Sequence, residues 1–478
     1  MKLARRFERM LPGGSFGKHA AILALGTAAG QGVTFLASPV LTRIYTPAEF
    51  GAFAVFFSTV NVLVAFGTLR YEFATPLPKD DASAASIVAL CFGALVISSA
   101  ALFGAAWLWG ESLVALLSLD APADFLLLVP LGVFGFGLFQ TLNYWTTRKE
   151  RFGVLATAKS GGATAAVVAQ ILGEPFGAKG LAGGYILGRL LGAAALLRSG
   201  VVGALVRSRI EILRVAREYR NFPLYTLWAT LVNALGTQAP PFLLTAFYSQ
   251  DVAGFFALTI RALMIPAGLV AQTVGQVFYP RASKIKDDPA EVRRVAERLA
   301  TSLLVVSLPL YALVGFLGPD AFALVFGEEW RLSGEYARLV APWLVFAFVS
   351  APMSTLAFVR ERQGQAFLIT LYETGLRIAA LWIGSRYDSP ELSVGLYGAA
   401  GAFITVFYLG WALRLAGSGL LAWMRSMSEY LVGAVVFLLL TGIVNFLGCV
   451  IFGVIGTALL TGAFVAWSWR KWLWRYDR

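Results

Sequence analysis

Long apolar runs follow one another along the chain, separated by short polar connections, at residues 19–42, 50–69, 84–109, 125–146, 154–173, 180–204, 222–247, 252–278, 300–318, 337–358, 367–385, 394–415, 430–447 and 450–469. A bilayer core takes roughly 20 apolar residues per helix, whereas a membrane-spanning strand would be about 10 residues long and alternate apolar with polar. The pattern therefore predicts an all-α integral membrane protein of about 14 transmembrane helices.

The polar positions inside these runs are ordered. In the first run Thr27, Gln31, Thr34, Ser38 and Thr42 recur at helical spacing on one face. The seventh carries Thr226, Thr230, Asn233, Thr237 and Thr245 on a stripe, with Pro240 and Pro241 expected to interrupt it. The eighth sets Arg261, Gly268, Gln272 and Gln276 on nearly one face, with Pro266 expected to break the ladder beside the arginine, and the fourth adds Gln140 and Asn143. Polar side chains in a membrane helix face protein or water rather than lipid, so these faces are expected to line a wet central cavity. The alternative is that hydroxyl stripes serve as interhelical glue, worth about 1 kcal/mol each, and it stays open.

The chain also repeats itself. At an offset of 203 the segment Thr27–Ala54 matches Thr230–Ala257 at eight of 28 positions, so that YTPAEFGAFA at Tyr45 is echoed by YSQDVAGFFA at Tyr248. Each copy joins two apolar runs, and an even number of runs lies between them, which predicts two parallel lobes related by an axis along the membrane normal. The expected division is an N-terminal tail at 1–18, a lobe of six helices at 19–204, a basic linker at 205–221, a second six-helix lobe at 222–416, a helix pair at 417–470 and a tail at 471–478. A simpler reading, two similar helix corners with Tyr at the interface and Gly for close packing, also stays open.

Composition agrees: 58% of the residues are hydrophobic and 14% charged, against about a quarter charged in soluble domains. The net charge of +12 is a topology signal rather than a nucleic-acid footprint, because 28 of the 39 Lys and Arg fall in alternate connections on one side and four in those on the other. Both termini are thereby expected in the cytoplasm, and the basic side is drawn to anionic lipid headgroups. Cys91 and Cys449 lie in apolar runs and form no disulfide scaffold, and the basic N-terminus lacks the apolar core of a cleavable signal.

LTRIYTPAEFG (Leu41–Gly51), EYRNFP (Glu218–Pro223), GFFALTIRALMIP (Gly254–Pro266) and QVFYPRAS (Gln276–Ser283) resemble signatures of the oligosaccharide (O-antigen or polysaccharide) flippases. These belong to the multidrug/oligosaccharidyl-lipid/polysaccharide exporter superfamily, whose members are similar in length, helix count and two-lobed repeat. The resemblance implies a multi-pass protein of a bacterial cytoplasmic membrane. Such a protein moves a polyprenyl-diphosphate-linked oligosaccharide from the inner to the outer leaflet by alternating access, for cell-surface polysaccharide biosynthesis. It also implies lipids as surroundings and a monomer, and leaves a polysaccharide polymerase open as a partner.

Carrying sugars and a diphosphate through about 30 Å of hydrocarbon needs cationic anchors, for which arginine's planar fork is suited. Arg261 is the first candidate, since an isolated arginine at that depth costs at least about 2.5 kcal/mol; its structural alternative is a bond to a carbonyl freed by Pro266. Arg189 has no acid near it in sequence, and Arg43 lies close to Glu49, as a gate anchor or an exposed pair. Arg377 and Glu373, four apart, form either a structural ion pair or, through Glu373, an ion-coupling switch. Lys159 is a further cation of the fifth run, placed in the cavity or at the interface according to where that helix starts. No catalytic residues, cofactor or metal site are expected, because the chain has one histidine, His19, no Cys/His cluster and no Walker-type loop. The competing classes are a multidrug antiporter of the same superfamily, disfavoured because embedded arginines outnumber embedded acids, a non-transporting scaffold of a polysaccharide-assembly complex, and an enzyme, which would need a longer outer loop.

Overall fold

In the computed structural model, residues 15–207 and 211–428 are described, with a few positions more between 430 and 437; the runs at 430–447 and 450–469 thus lie almost wholly outside the described residues. Every regular element among the described residues is a helix. Twelve long ones follow in order: α1 Ser15–Ile44, α2 Pro47–Thr68, α3 Asp81–Leu116, α4 Leu128–Arg148, α5 Phe152–Leu172, α6 Ala178–Leu196, α7 Leu227–Phe247, α8 Gln250–Lys284, α9 Pro289–Phe326, α10 Arg331–Met353, α11 Gln363–Ser385 and α12 Pro390–Leu415. They stand where the first twelve apolar runs do, and nine spans among the described residues are long and apolar enough to cross a membrane.

Two details differ from the expectation. Pro240 and Pro241 lie inside α7, and α8 is continuous through Pro266. A proline in a membrane helix is tolerated because neighbouring helices and local adjustment satisfy the freed carbonyl. The second difference is length: α9 runs for 38 residues and begins well before its apolar run. Asp288 caps it by accepting from the amides of Ala290 and Glu291 at 3.0 Å each, and Pro289 presets the first turn. Val292, Ala296 and Ala300 are buried on one stripe of that extension while its charged residues are not, so the segment is an amphipathic helix that an apolar window overlooks.

The chain divides into two compact units, one reaching to Ala257 and the other starting at Leu258. In the first, α2, α4, α6 and the 3-10 turn Ala123–Leu127 before α4 enclose a core of Val55, Phe56, Val60, Phe125, Val129, Val133, Tyr185 and Ile186. Helices α5 and α6 touch through small residues, a Cβ on Gly162 standing 2.8 Å from the Gly188 carbonyl oxygen. The repeated sequence meets itself here. A Cβ on Gly51 would stand 2.6 Å from the Gln250 carbonyl carbon, and one on Gly254 would stand 2.9 Å from that of Pro47, so each repeated glycine seats the backbone of the other copy's turn. Thr46 and Glu49 form a reciprocal capping box that starts α2. The Tyr45 hydroxyl donates to the Gln170 carbonyl at 2.5 Å.

The basic segment after α6 is partly helical and docked. Val215, on the short helix Ile212–Glu218, is buried with Tyr71, Ala74, Ile87 and Cys91. Tyr71 donates to the Ala216 carbonyl at 3.0 Å, and Arg214 donates to the Ser83 hydroxyl at 2.6 Å. Beside it, the Asp80 carboxylate caps α3 by accepting from the Ser83 amide at 2.7 Å, which holds its acid below the usual range, helped by the Ser83 hydroxyl and by Arg214. EYRNFP, in turn, leads into a π-helical turn at Phe222–Thr226 that opens α7.

In the second unit α9 packs on α10 through Gly318 and Gly334, and α12 seats on α10 where a Cβ on Gly398 would stand 2.6 Å from the Leu339 carbonyl oxygen. Tyr311 on α9 donates to the Leu263 carbonyl of α8 at 3.1 Å, and Thr259 donates to the Ser333 carbonyl at 2.7 Å. At the loop between α9 and α10, Arg331 pairs with Asp320 at 2.7 Å and Glu328 at 2.6 Å, and Arg338 with Glu335 at 3.3 Å.

Candidate functional site

In the first unit the embedded cations gather around α5 and α6. Gly26 and Gly30 bring α1 close to α5, and there the Lys159 amine donates to the Thr27 hydroxyl at 3.3 Å. Lys159 is therefore within the helix rather than at its start, and it stands within electrostatic reach of Arg189. Arg189, half-buried on α6, is surrounded by rings: its guanidinium carbon lies 4.7 Å from the centre of Phe136, 5.4 Å from Phe139 and 5.0 Å from Tyr185. Phe136 and Phe139 come from α4, and Tyr185 is one turn back on α6. No carboxylate among the described residues pairs with Arg189. Each ring contributes about 0.5–2 kcal/mol through its negative face, enough to offset much of the insertion cost, but cation–π contacts leave the edge N–H donors unused.

Three polar residues expected to line a cavity carry the complementary signature. The enclosed side-chain oxygens of Gln31, Gln140 and Asn143 accept no hydrogen bond from the described residues. The hydroxyl stripes behave differently: Thr34 donates to the Gly30 carbonyl at 3.0 Å, Ser38 to Thr34 at 2.9 Å, Thr230 to Thr226 at 2.7 Å and Thr237 to Asn233 at 3.1 Å. Hydroxyls satisfied by the carbonyl one turn back need no partner helix, and Asn233 and Thr237 are exposed on α7. A cavity of about 450 Å³ in the first unit is lined instead by residues such as Leu128, Ala169, Gly183, Gly184 and Leu187, with the Lys179–Asp124 pair at its rim.

In the second unit, Arg377 on α11 is clasped between helices. It pairs with Glu373 at 2.7 Å. Its guanidinium carbon lies 4.0 Å from the centre of Trp343 on α10 and 5.0 Å from Tyr397 on α12, whose hydroxyl accepts from Nη1 at 3.3 Å. Gly401 makes room, a Cβ there meeting Arg377 Nη2 at 2.9 Å. Arg261 is half-buried on α8, and the side chains of Gln272 and Gln276 lie outside what is described. Arg43 is exposed and donates to the Pro39 carbonyl at 3.0 Å, while Glu49 serves the α2 cap.

One buried charge pair is absent from the expected sites. Arg70 and Glu72 pair at 3.1 Å in a 3-10 turn after α2, with side-chain exposures of 7% and 0%, and Arg70 also stacks over Phe73. Its signal in sequence is slight: opposite charges two residues apart, in RYEFATP, where the connection stays apolar instead of turning polar.

A family profile described as "Polysaccharide biosynthesis protein" matches residues 40–334. The chain belongs to that polysaccharide biosynthesis family. Among its relatives the lipopolysaccharide biosynthesis protein WzxC of Escherichia coli K12 is 24% identical over 211 residues, 40% of this chain and 42% of that protein. The succinoglycan biosynthesis transport protein ExoT of Rhizobium meliloti is 25% identical over 317 residues, 65% of this chain and 62% of that one. The matches thus span about half of these relatives' lengths. The fold is similar to that of a solved structure of the lipid II flippase MurJ, determined in an inward closed conformation, with a TM-score of 0.76 at 13% identity, covering 96% of this chain and 100% of that one. As a member of this family, with nine spans among the described residues long and apolar enough to cross a membrane, the protein is a multi-pass membrane protein.

Proposed function

We propose that this protein translocates a polyprenyl-diphosphate-linked oligosaccharide from the inner to the outer leaflet of a bacterial cytoplasmic membrane, with both termini inside, and that it carries no catalytic chemistry of its own. The observation that carries the reading is Arg189, an embedded arginine with three aromatic rings on its faces and no carboxylate partner among the described residues. A drug antiporter recognising cations would need the opposite, an unpaired acid among aromatic rings. A diphosphate supplies the missing anion, and its oxygens accept from the guanidinium edge in the bidentate manner that suits arginine. The rings keep water off the contact, so the charge pair gains from a lower local dielectric. Lys159 adds a second positive charge nearby, and the side-chain amides of Gln31, Gln140 and Asn143 offer hydrogen-bond partners to sugar hydroxyls. The hydrocarbon tail needs no site of this polar kind, because it can stay in lipid while the head crosses.

Arg261, Arg377 and Arg43 are assigned the same role in supporting positions, and lipid-linked substrate and membrane lipids are the partners. The test is cellular: in a strain deleted for the gene, outer-leaflet lipid-linked glycan is measured with wild type, Arg189→Gln and Arg261→Ala at matched protein level. Loss of translocation in the variants supports the anchors. Undiminished translocation by both removes them, and drug efflux without glycan export would overturn the flippase reading itself.

A further inference from the structure

A guanidinium inside an apolar helix bundle needs compensation, from an anion or from ring faces, whether or not substrate is bound, because leaving a buried charge uncompensated costs several kcal/mol. Arg189 and Arg377 meet this need differently. Arg189 has rings only, whereas Arg377 has rings and Glu373, one turn back on the same helix at 2.7 Å. The clasp of Trp343, Tyr397 and Gly401 fixes the Arg377 head and leaves Glu373 on the more open side, with 29% of its side chain exposed against 14% for the arginine. The arginine's Nε is buried and donates to none of the described residues. Nε and Nη2 together form one edge of the guanidinium, the edge that a carboxylate or a phosphate can grip with two oxygens. In the structure Glu373 approaches that edge only at Nη2, without hydrogen-bond alignment, and the pair lies along one helix rather than across two.

Resting on the diphosphate reading above, we propose that Glu373 is a placeholder anion: it neutralises Arg377 in the empty carrier and yields that edge to the substrate diphosphate in the loaded one. Binding then exchanges one anion for another at a fixed cation, and release of the head group is helped by the carboxylate returning. Exchange also means that Glu373 opposes substrate only while ionised. Protonating it removes the competitor, so substrate binds more tightly as the pH falls. The groups facing it are Arg377 on its own helix and Tyr397 and Tyr408 on α12.

The test uses the full chain reconstituted in phospholipid vesicles and, as probe, a polyprenyl diphosphate esterified to N-acetylglucosamine. Such a diester keeps both phosphates ionised from pH 5 to 8, so any pH dependence belongs to the protein. Probe affinity and multi-turnover translocation are measured for wild type, Glu373→Gln and Arg377→Gln. The expected result is a wild-type affinity that rises as the pH is lowered. Glu373→Gln should bind at least about threefold more tightly at neutral pH, show no pH slope, and turn over more slowly because release is no longer assisted. Arg377→Gln binds weakly with no slope. A merely structural pair would instead lower stability in Glu373→Gln and leave affinity and slope as in wild type, which overturns the placeholder. The wild-type titration decides the matter even if a variant fails to fold, because a flat profile contradicts competition. Binding without a slope defeats this inference alone, whereas absence of probe binding at every pH defeats the diphosphate reading on which it rests.

Discussion

Replacing Gly51 by Ala adds a single methyl group where the two copies of the repeat meet. That carbon would stand 2.6 Å from the Gln250 carbonyl carbon, with the oxygen nearer still, whereas carbon atoms pack at about 3.5–4.0 Å. The turn between α7 and α8 must therefore retreat by about 1 Å, and what blocks the methyl is backbone, which cannot rotate aside. Overpacking of this kind costs about 1–3 kcal/mol. The proper control is Gly183→Ala on α6, where nothing lies within 4 Å; there the helical preference for alanine is expected to stabilise by about 0.5–1 kcal/mol. Thermal unfolding of both purified variants in one detergent, compared with wild type, gives the sign of each change. Gly254→Ala, which meets Pro47 in the same way, should behave like Gly51→Ala. If Gly51→Ala melts with or above wild type, the reciprocal seating of the repeat is wrong.

Three further outcomes follow from the packing. Arg70→Ala leaves Glu72 buried without its partner and should destabilise by about 3–5 kcal/mol, while the double variant Arg70→Met with Glu72→Gln recovers much of it; equal losses from both, read by denaturant melts, would contradict the pair. Val215→Asp places a carboxylate among Tyr71, Ile87 and Cys91, so the linker helix should undock, seen as new protease cleavage between residues 205 and 221. Tyr45→Phe removes the hydroxyl that donates to Gln170 and should cost about 1 kcal/mol in a melt; an unchanged melting point would show that bond to be idle.

The helices were legible because a membrane leaves so few choices: an apolar run of sufficient length becomes a helix, and α1 to α12 stand accordingly. Their ends were less so. The first turns of α9 are charged and amphipathic, with buried Val292 and Ala296, and only a 3.6-residue period, not mean apolarity, would reveal them. Contacts local in sequence could be read directly, as with Glu373 and Arg377 one turn apart. The surroundings of Arg189 could not, since Phe136 and Phe139 come from about 50 residues upstream and only the packing of α4 on α6 brings them to it. Arg70 and Glu72 were hidden for a related reason. Charges just beyond an apolar run read as a solvated connection, and it is the docked Ile212–Glu218 helix and the neighbouring Cys91 that bury this part of the chain.

The central claim is that caged arginines hold an anionic lipid head group while it crosses the membrane. The most direct measurement is translocation of a fluorescent polyprenyl-diphosphate oligosaccharide in vesicles containing purified wild type or Arg189→Gln. Wild type should move the lipid and the variant, equally stable and equally abundant, should lose at least about tenfold of the rate, as removal of a charge-assisted contact worth about 1.5–3 kcal/mol requires. Wild-type translocation by Arg189→Gln, or vesicles in which wild type moves no more lipid than empty ones, would contradict it.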